Sequence, residues 1–254
     1  MPAVPGRLPA GLTESSVVVI VPARYHSSRL PGKPLARIDG RPMVEHVYRR
    51  AVLSDVDAVV VATDDQRIVD AVEAFGGIAC LTRADHLTGT DRLAELTAQF
   101  PCDIVVNVQG DEPFIDPAAI DALVEPLRRD QSEQMTTLCR ALLPDEDVRS
   151  PHLVKVVCDL RGRALYFSRS PIPFCRAQGG AAPMAHVGVY GYRRATLLAL
   201  AALPPSPLEL SESLEQLRAL EHGISIRVVE SPYESLSVDT LDDLERARRK
   251  VQQP

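Results

Sequence analysis

Three short apolar runs constrain this chain most: Val17-Val18-Val19-Ile20-Val21, Ala58-Val59-Val60-Val61-Ala62 and Ile104-Val105-Val106-Asn107-Val108. Each is too short for a spanning helix and too uniformly apolar for a strand with one wet face. Such runs fit strands buried on both faces, as in a parallel sheet. Each ends abruptly, at Pro22, at Thr63-Asp64-Asp65 and at Gln109-Gly110-Asp111. Helical patterns fill the intervals: residues 42–50 with a proline at the first turn, residues 68–75 with Gly76 as the stop, and residues 90–100. Strands alternating with helices of about ten residues predict an α/β chain with a doubly wound, mostly parallel sheet.

Beyond residue 150 the pattern changes. Val154-Lys155-Val156-Val157-Cys158 and Ala164-Leu165-Tyr166-Phe167-Ser168 flank Asp159-Leu160-Arg161-Gly162, a hairpin signature. Val187 to Tyr192 reads as a further strand, residues 214–220 as a helix ending near Gly223, and residues 224–229 as a strand. Pro204-Pro205-Ser206-Pro207 reads as a rigid connector, and Thr240-Leu241-Asp242-Asp243 as the start of a last helix.

Composition removes several classes of function. With 254 residues, 45% of them hydrophobic, the chain is long enough for one substantial α/β domain. Its net charge of −6 gives no global attraction to nucleic acid or to an anionic membrane. No apolar run approaches the ~20 residues that span a bilayer. The proline- and glycine-containing stretch over residues 1–16 lacks the apolar stretch of a signal peptide and reads as a flexible leader. Cys80, Cys102, Cys139, Cys158 and Cys175 are odd in number and scattered, which fits reduced thiols filling strands in a cytoplasmic protein.

In open parallel sheets, ligands bind beyond the carboxyl ends of the strands. The loop after the first run carries Arg24, Ser27, Arg29 and Lys33, with Pro31-Gly32 stiffening and turning the backbone. Three cations converging on one loop suit several phosphate oxygens, the arginines as forks and the lysine as a point charge. The loop is neither a P-loop nor a dinucleotide fingerprint: Pro34 follows Gly32-Lys33, and no G-x-G-x-x-G is present. Asp111, at another strand end and after a glycine, has the chemistry of a magnesium ligand. Asp64, at the third, reads as a turn or cap residue. The polar stretch over residues 82–91 leads into a helix and offers N–H groups to a base, ribose or phosphate. No nucleophile–base pair for acyl transfer is apparent. These features point to direct attack on a nucleotide phosphate.

The motif Arg24-x-x-Ser27-x-Arg29-Leu30-Pro31-Gly32-Lys33 resembles the signature of sugar nucleotidylyltransferases, specifically the acidic-sugar cytidylyltransferases. Thr82-Arg83-Ala84-Asp85-His86, Asn107-Val108-Gln109-Gly110-Asp111-Glu112-Pro113, Ala164-Leu165-Tyr166-Phe167-Ser168-Arg169, His186-x-Gly188-x-Tyr190-Gly191-Tyr192, Leu214-Glu215-Gln216-Leu217-Arg218 and Val238-Asp239-Thr240 narrow it to the 3-deoxy-manno-octulosonate (Kdo) cytidylyltransferases. The resemblance runs from Val17 to Arg249. It implies a Rossmann-like nucleotidyltransferase fold over residues 17–254, with a smaller β-rich part near residues 150–222 for the sugar and for dimer contacts. It implies cytidylyl transfer from CTP to Kdo with loss of pyrophosphate, for lipopolysaccharide assembly, by a magnesium-dependent cytoplasmic homodimer.

Carried over residue by residue, the resemblance gives a phosphate site at Arg24, Ser27, Arg29 and Lys33. Cytosine and ribose contacts fall near Ala23, Arg83, Thr90 and Gln109, and magnesium carboxylates at Asp111 and Asp239. The sugar site falls at Arg169, His186, Tyr190, Glu215 and Gln216, with Arg169 expected to meet the sugar carboxylate. Phe174 departs from the family's usual tryptophan, and the loop over residues 175–183 is short. Another acidic sugar, such as sialic acid or 8-amino-Kdo, a nucleotide-binding regulator without turnover and a purely structural module stay open at this point.

Overall fold

The three apolar runs are the hydrogen-bonded centre of a parallel sheet in which Val17 to Val21 are at most 1% exposed. The structure, a computed structural model, describes residues 8–27, 30–86, 88–176, 179–234 and 236–252. It divides into two units, Met1–Asp121 with Ser235–Pro254, and Ala122–Glu234.

The first unit begins with β1 (Val17–Ala23), a single 3-10 turn at Lys33–Leu35, and the small hairpin β2 (Arg37–Ile38) and β3 (Arg41–Pro42). Then come α1 (Met43–Ala51), β4 (Ala58–Thr63), α2 (Gln66–Ala74), β5 (Ala79–Leu81), α3 (Gly89–Thr97) and β6 (Ile104–Asn107). β6, β1, β4 and β5 pair in that order, all parallel, as the double-sided burial of their sequences requires. The ladder starts one residue before the first run: the Ser16 carbonyl accepts from Asp103 N and Ile104 N. Thr13 to Ser16 form a hydrogen-bonded turn leading into it, while residues 1–7 of the expected leader lie outside the described residues.

The helix α4 (Pro117–Arg129) runs from the first unit into the second. The second unit holds β7 (Met135–Ala141), β8 (Lys155–Cys158), β9 (Ala164–Ser168), β10 (Met184–Arg193), α5 (Arg194–Ala201), α6 (Pro207–Glu212), α7 (Gln216–Glu221) and β11 (Ile226–Glu230). β11 joins β7 in parallel, and the β7–β10, β10–β8 and β8–β9 pairs are antiparallel. The tip of the β8–β9 hairpin then returns to β11 through an Arg163–Arg227 bridge and a Val228 N to Gly162 O hydrogen bond of 2.8 Å. The five strands thus curl back on themselves. The chain ends with α8 (Leu241–Gln252) in the first unit, where Leu244 and Ala247 pack with Leu30, Ile38, Met43 and Val238.

Two elements differ from the sequence reading. The expected connector at residues 204–207 starts α6: Pro207 takes the first helical turn, and Glu209 Oε2 accepts from Ser206 N at 3.0 Å. Of the cysteines, Cys80, Cys102 and Cys139 fill the interior as expected, but Cys158 and Cys175 are exposed.

Candidate functional site

Beyond the ends of β1 and β6, in the first unit, lies a cavity of about 420 Å³. Ala23, Arg24, Ser27, Lys33, Gln109, Asp111 and Asp239 all line it, with Gly89 and Gly110. Two backbone features shape its wall. Gly32 sits at φ 67°, the left-handed conformation that favours glycine, and donates its N–H to Tyr25 O at 3.0 Å to close the loop. Gly110 lies so close to β1 that a Cβ there would stand 2.7 Å from the Pro22 carbonyl oxygen.

Lys33 is the electrostatic centre of the cavity. Its Nζ donates to Asp111 Oδ2 at 2.6 Å and to Asp239 Oδ1 at 3.0 Å. Burial alone would lower the lysine's affinity for its proton. The charge and hydrogen bond of Asp111, with those of Asp239, outweigh burial and hold the ammonium above its usual value. Asp239 is brought there by a Val238 N to Asp111 O hydrogen bond of 2.9 Å. Its side chain is not needed to cap α8, because Thr240 and Asp243 cap each other: Asp243 N donates to Thr240 Oγ1, and Thr240 N to Asp243 Oδ2.

Asp64 does something other than the expected turn. Asp65 is the N-cap of α2, accepting from Arg67 N at 2.9 Å. Asp64 accepts instead from Tyr25 N at 3.4 Å and from Arg92 Nη2 at 3.2 Å. Arg92 is fully buried. Burial pushes its guanidinium below the ordinary value, and Asp64 opposes that shift. The stacking of Arg67 on the Tyr25 ring, 3.4 Å from the centroid, secures the same loop from outside.

Not every expected nucleotide contact reaches the cavity. Arg83 is exposed, pairs with Asp85 through Nη2 at 2.5 Å and Nε at 2.9 Å, and does not line it. Thr90 is 3% exposed, its side chain sealed in the first turn of α3, so that the neighbouring Gly89 faces the cavity in its place. Arg29 lies outside the described residues.

The expected sugar residues all fall in the second unit. His186 and Tyr190 are both half-buried. Burial pushes the His186 ring down to about 3, so it is neutral, and burial with the nearby Glu215 charge pushes the Tyr190 phenol above its ordinary range. Their ring centroids are 5.6 Å apart. Gln216 is 5% exposed, and its Nε2 has no hydrogen-bond partner among the described residues. Glu215 Oε1 lies 3.8 Å from Arg218 Nη2.

Arg169 is more committed than expected. Its Nε, Nη1 and Nη2 donate to the carbonyls of Glu212, Pro151 and Ser213 at 2.6, 2.7 and 3.2 Å. Of the five guanidinium N–H donors, two have no such partner among the described residues and suit an anion. Two residues that the sequence reading passed over hold it in place. Glu212 accepts from Ser168 Oγ at 2.6 Å and Arg169 N at 2.9 Å. Lys155, fully buried, donates to the carbonyls of Arg169, Leu153 and Ser150. A lone lysine inside the apolar run Val154 to Cys158 was the available signal, since a buried charge needs built-in partners.

Comparison with known proteins bears on the family and the fold. A sequence profile of the cytidylyltransferase family matches residues 18–226. The 3-deoxy-manno-octulosonate cytidylyltransferase of Pelobacter propionicus is 52% identical over 247 residues, covering 92% of this chain and 97% of its own. That of Syntrophotalea carbinolica is 54% identical over 241 residues, covering 91% and 96%. Among solved structures, a CMP:2-keto-3-deoxy-manno-octonic acid synthetase complexed with CTP superposes with a TM-score of 0.90 at 48% identity, over 94% of this chain and 99% of that one. The Rossmann-like fold thus has a close counterpart along nearly the whole chain, and the chain belongs to the cytidylyltransferase family and, within it, to the 3-deoxy-manno-octulosonate cytidylyltransferases.

Proposed function

We propose that the chain transfers the cytidylyl group of CTP to Kdo, releasing pyrophosphate and forming CMP-Kdo for lipopolysaccharide biosynthesis. The observation that carries this reading is the Lys33–Asp111–Asp239 cluster in one cavity with Arg24 and Ser27. Arg24 and Lys33 neutralise charge on the triphosphate as the leaving pyrophosphate develops it, and Ser27 adds a hydroxyl donor. Ala23 and Gln109 face the nucleoside. In the second unit, Arg169 offers two N–H donors to the sugar carboxylate, while His186, Tyr190, Glu215 and Gln216 supply donors and acceptors for its hydroxyls. The anomeric hydroxyl attacks the α-phosphorus in line, and the bond to the pyrophosphate oxygen breaks.

The family implies magnesium. Among the described residues no three His, Cys, Asp or Glu side chains group as a metal cage. Two carboxylates beside a triphosphate site are nonetheless the donor set magnesium takes, because it keeps waters and phosphate oxygens as its other ligands. Asp111 and Asp239, both already turned on one cation, would hold it. When bound it supplies charge neutralisation on the phosphates and polarisation of the attacking hydroxyl.

No helix among the described residues is long and apolar enough to cross a membrane. We read the enzyme as a cytoplasmic homodimer. Exposed Leu165, Phe174 and Leu210, all in the second unit, support the dimer, and light scattering tests it. The activity is tested by pyrophosphate release with CTP and magnesium, comparing Kdo, 8-amino-Kdo and sialic acid, with EDTA and no-sugar controls. Release with Kdo alone, abolished by EDTA, is expected. Release with another sugar only would overturn the sugar assignment, and release with none would overturn catalysis.

A further inference from the structure

The strand β10 carries a bulge where its register with β7 shifts between Val187 and Tyr190. Gly188 and Val189 have no opposite residue on β7, and such an insertion re-aims the groups around it. Here the bulge turns two backbone carbonyls on one hydroxyl: Thr137 Oγ1 lies 2.9 Å from Val189 O and 3.3 Å from Val187 O. The same oxygen lies 2.9 Å from His186 Nε2.

A threonine hydroxyl has one proton to donate. Carbonyl oxygens only accept. If that proton went to His186, the Thr137 and Val189 oxygens would face each other at 2.9 Å with no hydrogen between them, a repulsive contact of lone pairs. The proton therefore lies toward the carbonyls, and Thr137 Oγ1 must accept from the imidazole. The ring is held in that orientation by Phe167, edge-on at 4.9 Å between centroids, and by Tyr190 on another side. The ring is neutral, so only one nitrogen carries hydrogen. Nδ1 has no hydrogen-bond partner among the described residues.

We infer that Thr137 and the β10 bulge fix the His186 proton on Nε2, so that Nδ1 meets the sugar as an acceptor and selects a hydroxyl there. The second half rests on the sugar-site reading above; the first does not. Thr137 is on this view a positioning residue that acts through His186. A carbonyl or carboxylate oxygen placed at Nδ1 would find no proton, whereas a sugar hydroxyl would donate to it. Valine matches threonine in shape but cannot hold the imidazole proton, and serine can.

The test begins with the uniformly 15N-labelled protein without substrate. Long-range proton–nitrogen correlations report the tautomer of each ring, and loss of one set of signals in His186→Gln assigns them among the six histidines. His186 should be Nε2–H in the parent protein and in Thr137→Ser, and should shift toward Nδ1–H in Thr137→Val. The KM for Kdo should rise about fivefold in Thr137→Val, the equivalent of one net hydrogen bond, and return in Thr137→Ser, with the KM for CTP unchanged. Circular dichroism checks that Thr137→Val folds; if it does not, the parent and serine spectra still decide. A parent His186 protonated on Nδ1 overturns the inference outright. A valine variant with an unmoved tautomer and an unmoved KM overturns the role of Thr137. If the tautomer is as stated but His186→Gln leaves the KM for Kdo unchanged, the sugar reading fails, and the selection of a hydroxyl fails with it.

Discussion

Gly110→Ala is a small change that should disturb the cavity beyond β1 and β6. The added Cβ would stand 2.7 Å from Pro22 O and 3.6 Å from Ala23 Cβ. The first contact is with backbone, so no side chain can swing away. Opening it to an ordinary carbon–oxygen separation moves the end of β1 and the Gln109–Asp111 turn apart by about half an ångström. Overpacking of this kind costs about 1–3 kcal/mol, and each kcal/mol lowers Tm by roughly 2–4 °C in a chain of this size. The same shift carries Asp111 away from Lys33, a contact now 2.6 Å long. Misplacement by 1 Å can cost about 100-fold in rate, so a loss near tenfold in kcat/KM for CTP is expected. Thermal melts and pyrophosphate release read the two effects. Gly89→Ala serves as the stability control, since its Cβ would meet only the Pro22 ring, Cγ at 3.8 Å and Cβ at 4.0 Å, ordinary contacts. Unchanged Tm and kcat/KM in Gly110→Ala would refute the claim that close approach at this glycine sets the cavity.

Lys33→Ala should lower turnover about 100-fold even at saturating CTP, and a steady-state rate equal to the parent's would remove Lys33 from the phosphate clamp. Glu212→Gln replaces a carboxylate that accepts from both Ser168 Oγ and Arg169 N, so the KM for Kdo should rise roughly tenfold with little change for CTP; an equal rise in both would point to a general loss of structure. Burial alone would raise the Glu209 carboxyl, but hydrogen bonds from Arg218 and Ser206 N hold it below its ordinary 4.5. Its contribution to stability is therefore complete above pH 4.5 and is lost as pH falls through the lower folded value. Glu209→Gln should melt lower at pH 7 and lose less further stability on acidification, which melts at several pH values between 7 and 3 would check.

Much of the fold was legible because burial on both faces leaves a plain mark on a strand. β1, β4 and β6 were placed to within two residues from their apolar runs alone. β7 left no such mark. Thr136 and Thr137 interrupt it, and both are fully buried only because backbone carbonyls receive their hydroxyls. α4 was hidden by Pro126 in its interior, and α6 by the prolines before it. For β7 a tertiary partner, invisible along the chain, cancels an unfavourable local signal.

The aspartates show where such reading stops for the site. Asp64, Asp111 and Asp239 each stand at an element end, where a carboxylate caps a helix or a turn by default. In all three cases another group already does the capping or closes the turn. Asp65 caps α2, which leaves Asp64 to tie Tyr25 to the buried Arg92. Thr240 and Asp243 cap α8 between them, which leaves Asp239 to face Lys33. Asp111 lies in a turn closed by backbone, Glu112 N to Gln109 O, so its side chain too is spared for Lys33. A carboxylate relieved of its local duty must find a cation when it is half-buried, and here the cations within reach are Lys33 in the loop after β1 and Arg92 of α3. The carboxylates that meet a cation here are thus those whose local work was taken over by another group, a property of pairs that no single position in the sequence displays.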